Sequence, residues 1–273
     1  MAARTIVSFG SGFSVADVVG IAPMAGRGTR LGLSISKELA PLDESTDTGP
    51  VLADIMLCRM LDAGITRVAL VTASHKQDIR RYFGETYKPQ KSVADSLTLS
   101  YVQIDNSRST PVSIDAAYEY TRGKVCALGF ADILFARCPG YERALDHLQN
   151  SVADVVLGLF PSVQTASSDM VEFDADGVVQ NLRIKSVEGA KLAYTWSIAV
   201  WKPGFTDFLH RWVADSSKGN SAPQELAREQ YVGDVFLDAM REGMRVEAVV
   251  VSARASLDAG TPESLALART LIW

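Results

Sequence analysis

At 273 residues, with 47% hydrophobic and 22% charged residues, the chain suits one large soluble α/β domain, with or without a small appendage. A formal net charge of -5 supplies no general attraction for nucleic acid, so any phosphate must be recognised locally. Cys58, Cys126 and Cys138 are odd in number and lack CxxC spacing, which speaks against a disulfide framework or a zinc knuckle.

Met1 to Ser14 carries one basic residue and no long apolar core, so it reads as a short extension and not as a signal peptide. No run approaches the roughly 18–20 apolar residues of a membrane span; the expectation is a cytoplasmic protein with no membrane partner. Val18–Met24 reads as a buried strand feeding a glycine-rich loop. A helix is expected over Val51–Ala63, closed by Gly64. Arg67–Thr72 is the next strand, Gln77–Phe83 a short helix, Leu97–Val102 a strand and Ile114–Tyr120 a helix. Lys124–Phe130 reads as a strand that ends just before Asp132; helix Tyr141–Leu148 and strand Ala153–Phe160 follow. This alternation predicts a mostly parallel sheet with helices on both faces. Further on, Met170–Phe173, Val178–Lys185 and Leu192–Trp201 read as strands, with an Asp174–Gly177 turn between the first two. Phe205–Val213 and Gln224–Met240 read as helices, Arg245–Val251 as a strand and Pro262–Leu271 as a closing helix. Ser216–Ser221 is the one candidate flexible linker, and there is no internal repeat.

The most informative stretch is Gly26–Pro41, GRGTRLGLSISKELAP. Gly26 and Gly28 follow a buried strand, where glycines let the backbone approach a triphosphate and successive N–H groups cradle its oxygens. Arg30 and Lys37 add positive charge. Taken alone, the glycines fit a surface turn equally well. The dinucleotide fingerprint is one residue narrower than the spacing of Gly26, Gly28 and Gly32, and the P-loop pattern requires a Lys that is not there.

A strand, then G-x-G-T-R-L, then Ser36-Lys37-Glu38-Leu39-Ala40-Pro41 resembles the signature of the sugar-1-phosphate nucleotidyltransferases, and among them the glucose-1-phosphate thymidylyltransferases. Gly129-Phe130-Ala131-Asp132-Ile133-Leu134-Phe135 is similar to that family's Gly-Asp-x-x-Phe segment, and Asp258-Ala259-Gly260-Thr261-Pro262-Glu263-Ser264-Leu265 to its D-x-G-T-P-E-x-L close. The resemblance implies a Rossmann-like, mostly parallel mixed sheet flanked by helices, of the GT-A-like nucleotidyltransferase type. It implies an N-terminal extension over 1–16 and one domain over 17–273, with a nucleotide-binding half (17–150) and a sugar-phosphate-binding half (151–273). The activity implied is transfer of a nucleoside monophosphate from a triphosphate, dTTP or UTP, to a sugar 1-phosphate with release of pyrophosphate. Family members often form dimers or tetramers, so a homo-oligomer is implied as well.

Joining two anions is a problem of positioning and charge neutralisation, and a hard divalent cation on one or two carboxylates suits it. By resemblance, Asp132 and Asp258 hold Mg²⁺. Ala25, Gly26, Gly28, Thr29, Arg30 and Lys37 bind the nucleotide, with Arg30, Lys37 and Asp132 carrying the chemistry. Lys185 and Ser197 lie at the sugar phosphate. His75, His147 and His210 sit in no motif and read as ordinary polar positions.

The specificity positions depart from the family. Ile184 stands where a Glu usually bonds a sugar hydroxyl, and Ser197 replaces a glycine. In the base-reading segment, Arg108 and Ser113 occupy the usual Gln and Gly positions, so the base preference is not carried over. Two alternatives stay open: a cytidylyltransferase acting on phosphocholine or a phosphonate, and a non-catalytic protein that senses a nucleotide or sugar phosphate. A dinucleotide-dependent oxidoreductase is disfavoured by the glycine spacing.

Overall fold

The computed structural model describes residues 12–45, 49–88, 96–105, 107–163, 167–219 and 229–271. The strands in chain order are β1 (Val19–Pro23), β2 (Arg67–Thr72), β3 (Thr86–Tyr87), β4 (Leu97–Gln103), β5 (Cys126–Leu128), β6 (Ile133–Leu134), β7 (Val155–Pro161), β8 (Asp169–Phe173), β9 (Val179–Ile184), β10 (Tyr194–Trp201), β11 (Val246–Val250) and β12 (Leu257–Asp258). The helices are α1 (Leu52–Asp62), α2 (Gln77–Phe83), α3 (Thr110–Asp115), α4 (Tyr118–Thr121), α5 (Gly140–Asn150), α6 (Pro203–Gly219), α7 (Val232–Arg241) and α8 (Pro262–Thr270).

The main sheet runs β11-β7-β10-β5-β1-β2-β4-β3, with the β8–β9 hairpin attached through β10. Strands β1, β2, β4 and β5 are parallel, with β1 between β2 and β5 and β4 extending β2, whereas the two-residue β3 pairs antiparallel with β4. β10 runs antiparallel to both β5 and β7, which makes the sheet mixed. β1 stands at the centre and its residues are almost wholly buried, so an unbroken apolar run suits it better than alternation. Side chains of β1 and of the residues flanking it feed two cores. Val18, Ala22 and Met24 pack with Met56, Met60, Tyr141 and Leu145 of α1 and α5. Ile21 and Ala25 pack toward Phe205, Val235 and Phe236 of α6 and α7 on the other face.

A third, smaller core positions the site. Leu31, Ala40 and Leu42 come from the glycine-rich segment, Leu52 and Ile55 from α1, Leu134 from β6, and Ala259, Leu265 and Ala268 from the C-terminal segment. Burial of these side chains draws together segments from opposite ends of the chain, each apolar contact adding to the drive for assembly.

Several expected boundaries shift. The helix expected over Ile114–Tyr120 is two short helices, α3 beginning earlier at Thr110 behind Pro111 and α4 restarting at Tyr118. The candidate linker at Ser216 is helical as far as Gly219, because α6 runs on from Pro203; residues 220 and 221 lie outside the described residues. Of the helix expected over Gln224–Met240, the described part begins at Val232, and residues 224–228 lie outside the described residues. The N-terminal extension is described only from residue 12. Cys126 is buried, whereas Cys58 and Cys138 are only partly so. Among the described residues no helix is long and apolar enough to cross a membrane.

Candidate active site

The glycine-rich loop leaves β1 at its carboxyl end. Ala25 is buried, and Gly26 is exposed with open space where a side chain would stand. Gly28 adopts φ +63°, a left-handed conformation that favours glycine, and the Lys37 stem lies 3.2 Å from where a Cβ would be. Thr29–Leu31 form a short 3₁₀ turn with Thr29 and Arg30 exposed. A second 3₁₀ turn, Lys37–Leu39, presents Lys37.

Two anchors flank Lys37. On one side Ser36 donates its N–H and hydroxyl to the Asp78 carboxylate at 2.7 and 2.6 Å. On the other, Lys76 donates to both Glu38 oxygens at 2.8 Å, in an ion pair only 1–2% exposed. Asp78 and Lys76, at the start of α2, thereby fix the backbone on which Lys37 stands. The sequence motif includes Glu38 and gives no hint of its partner.

Lys37 Nζ lies 2.5 Å from Asp132 Oδ2. Burial opposes ionisation of Asp132, yet the charge and hydrogen bond of Lys37, with Arg30 beyond, hold its carboxyl below the usual range. Asp258 arrives from the far end of the chain through β12, which pairs antiparallel with β6 so that Asp258 stands opposite Ile133. The Ala259 N–H donates to the Asp132 carbonyl at 2.8 Å, and the Gly260 N–H to Asp258 Oδ1 at 2.8 Å. Asp258 thus lies on a two-residue strand. Burial, and then the neighbouring negative charge of Asp132, push its carboxyl up. Arg30 reaches the same corner, its Nη2 3.4 Å from the position a Cβ on Gly260 would take.

Two carboxylates that repel each other, partly screened by Lys37, form a fitting seat for a hard cation. Among the described residues no group of three or more His, Cys, Asp or Glu side chains is placed to hold a metal. Mg²⁺ needs no such cage, since it keeps several waters and takes substrate phosphate oxygens.

From Asp132 and Asp258 a cavity of about 210 Å³ extends past Phe130, Trp196 and Ser197 to Asp169, Lys185 and Tyr231. Ser197 is buried there, its hydroxyl 2.8 Å from that of Ser256. Lys185 follows β9 with φ 42°, the one positive value at a non-glycine among the described residues, and its ammonium sits 3.8 Å from the Tyr231 ring centroid. Asp169 and Tyr231 carry no sequence motif. The signal available for Asp169 was an acidic residue directly ahead of an apolar pair at the head of a strand. Thr110, at the start of α3, also lines the cavity, while Ser113 on the same helix is buried and paired with Ser107 at 2.6 Å. The histidines stand apart: His147 lies 2.6 Å from Glu247 and His210 2.8 Å from Asp115.

Neither a family model nor a curated protein matches the chain by sequence. Solved structures share its fold. A protein from Bacillus anthracis described as a glucose-1-phosphate thymidylyltransferase, in complex with a sucrose, superposes with a TM-score of 0.71 at 15% identity, covering 94% of this chain and 97% of that one. A UTP-bound UGPase from Acinetobacter baumannii gives 0.72 at 16% identity over 92% of each chain. A UDP-glucose pyrophosphorylase complexed with UDP-glucose gives 0.71 at 18%, covering 92% of this chain and 97% of that one. At these identities the likeness establishes the fold, which is the mixed α/β sheet of the sugar nucleotidyltransferases.

Proposed function

We propose that the protein is a cytoplasmic, Mg²⁺-dependent nucleotidyltransferase that transfers a nucleoside monophosphate from a triphosphate, dTTP or UTP, to a sugar 1-phosphate. The observation that carries the reading is the convergence of Asp132, Asp258, Lys37 and Arg30 at one end of a cavity whose other end holds Lys185. On this reading residues 17–150 bind the nucleotide and residues 151–273 cover the acceptor.

The backbone of Gly26–Thr29 lies against the triphosphate, with Arg30 and Lys37 on its β- and γ-phosphates. Asp132 and Asp258 are the residues that would hold Mg²⁺, which when bound supplies a Lewis acid that neutralises phosphate charge. Lys185 holds the acceptor phosphate so that one of its oxygens faces the α-phosphorus. That oxygen forms the new P–O bond as the bond from the α-phosphorus to the bridging oxygen breaks, and pyrophosphate leaves with the electron pair. Arg30 and Lys37 stay with the leaving group and stabilise its growing charge. No protein group has to take a proton, since the attacking phosphate oxygen is already anionic.

A second reading is favoured by one observation: Phe130, Trp196 and Tyr231 line the cavity, and aromatic faces of this kind suit a quaternary ammonium. On that reading the acceptor is phosphocholine or a phosphonate and the donor is CTP. Pyrophosphate release, measured with Mg²⁺ for each common nucleoside triphosphate against sugar 1-phosphates, phosphocholine and a phosphonate, separates the two. Silence across the panel in a folded protein that still binds a triphosphate would leave a sensing protein in place of an enzyme.

A further inference from the structure

In the β8–β9 hairpin Asp169 stands directly opposite Ile184, one residue before Lys185. The two side chains also meet one patch of α7. A Cβ on Gly233 would come to 3.0 Å from both Asp169 Oδ2 and Ile184 Cγ1. The Asp169 carboxylate and the Ile184 side chain are therefore neighbours on the acceptor side of the cavity, which Asp169 lines.

Asp169 Oδ1 is closed to solvent and has no hydrogen-bond partner. A buried carboxylate oxygen left unmet carries a desolvation cost that a donor would relieve. Burial pushes this carboxyl up to about 6, and Asp234 pushes the same way, against the charge of Lys185 and hydrogen bonding from the Trp196 indole and the Lys185 backbone N–H. The indole Nε1 is itself buried without a partner in hydrogen-bonding geometry. The indole thus leans on the carboxylate without closing a well-formed hydrogen bond, and Oδ1 is left with room for a better donor.

We propose that Asp169 is a specificity-determining residue whose carboxylate accepts a hydrogen bond from a donor group of the acceptor substrate, a sugar hydroxyl or an ammonium. It supplies from β8 the polar recognition that Ile184 cannot supply from β9. Lys185, one position along, holds the phosphate of the same molecule. The inference rests on the acceptor half of the proposed function and adds to it the group that the acceptor must carry.

The test is equilibrium binding by calorimetry of α-glucose 1-phosphate, phosphoethanolamine and phosphocholine to wild type, Asp169→Asn and Asp169→Ala, with triphosphate affinity and melting temperature as folding controls. A ligand with a donor should bind at least about tenfold more weakly to Asp169→Ala. A hydroxyl donor is indicated if Asp169→Asn keeps most of the affinity, because an amide oxygen still accepts. An ammonium donor is indicated if Asn loses as much as Ala. Phosphocholine, whose headgroup offers charge but no hydrogen-bond donor, should bind wild type more weakly than phosphoethanolamine and lose less affinity on the change. Should Asp169→Ala not fold, Gly233→Ala displaces the carboxylate from α7 and should weaken the same ligand. Equal affinity of wild type and variants for every donor-bearing ligand, or tightest binding of phosphocholine, overturns the proposal. Turnover with an acceptor KM unmoved by the variants also overturns it and leaves the reaction standing. Asp169-dependent binding without pyrophosphate release overturns the reaction and leaves this inference standing. A wild type that binds none of the three overturns both.

Discussion

Ser36 gives both its backbone N–H and its hydroxyl to the carboxylate of Asp78, so the loop that presents Lys37 is tied to the first turn of α2. Asp78→Ala removes both bonds at a partly buried site, and a loss of about 1–2 kcal/mol in urea unfolding is expected. Because Lys37 stands on the loosened turn, the KM for the triphosphate should rise more than kcat falls. Unchanged triphosphate KM with the expected stability loss would limit Asp78 to a structural role.

The same pair predicts a pH dependence. Burial pulls the Asp78 carboxyl upward, but the two bonds from Ser36 and one from the Ile79 N–H outweigh it and hold it below the usual range. A group depressed in the folded state stabilises above its unfolded pKa, about 3.9 for Asp, and that stability is lost as pH falls through the folded value. Wild type should therefore lose more stability between about pH 5 and pH 3 than Asp78→Asn does. Urea midpoints across that range measure the difference, and parallel curves would remove Asp78 from the acid limb.

On the other side of Lys37, Glu38 and Lys76 are almost closed to solvent. Burial pushes the Glu38 carboxyl up and the Lys76 ammonium down, each against its partner's charge. Breaking such a pair by Glu38→Leu or Lys76→Met strands a buried charge and should cost about 3–5 kcal/mol. The double variant Glu38→Leu with Lys76→Met leaves no stranded charge and should recover much of that loss. Denaturant unfolding of wild type and these variants reads the coupling, and additive losses would mean that the pair is not coupled.

The glycine-rich turn was legible in the sequence because its determinants are local. A buried strand, closely spaced glycines and a lysine before an apolar-proline step carry their geometry with them, and the structure has Gly28 in a left-handed turn against Lys37. Asp132 and Asp258 were legible only through resemblance. They meet through two-residue strands, β6 and β12, too short to show any period. Asp78 and Lys76 read as ordinary residues at a helix start, since their partners lie far back in the chain, before α1. Asp169 went unnoticed for the converse reason: the family pattern directs attention to Ile184, and only strand register reveals the carboxylate across from it.

Lys185 offers a separation of strain from binding. Its φ of 42° is costly for a side chain with a Cβ, about 1 kcal/mol or more, and the ammonium is engaged with Tyr231. Lys185→Ala keeps the strain and loses the charge, whereas Lys185→Gly loses both. The glycine variant should match or exceed the alanine variant in stability, by up to about 1 kcal/mol, the reverse of an ordinary alanine-to-glycine change. Both should raise the KM for the acceptor by roughly 10- to 100-fold, as for a lost charge-assisted hydrogen bond. Thermal melts and acceptor titrations measure the two effects separately, and an unmoved acceptor KM would take Lys185 out of the acceptor site.

Asp132 and Asp258 differ in what surrounds them, and the difference can be tested. Asp132 is paired with Lys37, which favours its charge; Asp258 faces burial and the charge of Asp132, which disfavour its own. Asp132→Asn should cut pyrophosphate release by at least about 100-fold, the scale of losing one well-placed electrostatic group. It should also free Lys37 from its partner. Asp258→Asn should cut turnover too, but it relieves the repulsion between the carboxylates, so its melting temperature should hold or rise. The ion pair across Asp132 predicts the opposite for Asp132→Asn, a small fall. Activity retained in either variant removes that residue from the chemistry. Equal melting shifts in both would mean that Lys37 does not distinguish the two carboxylates.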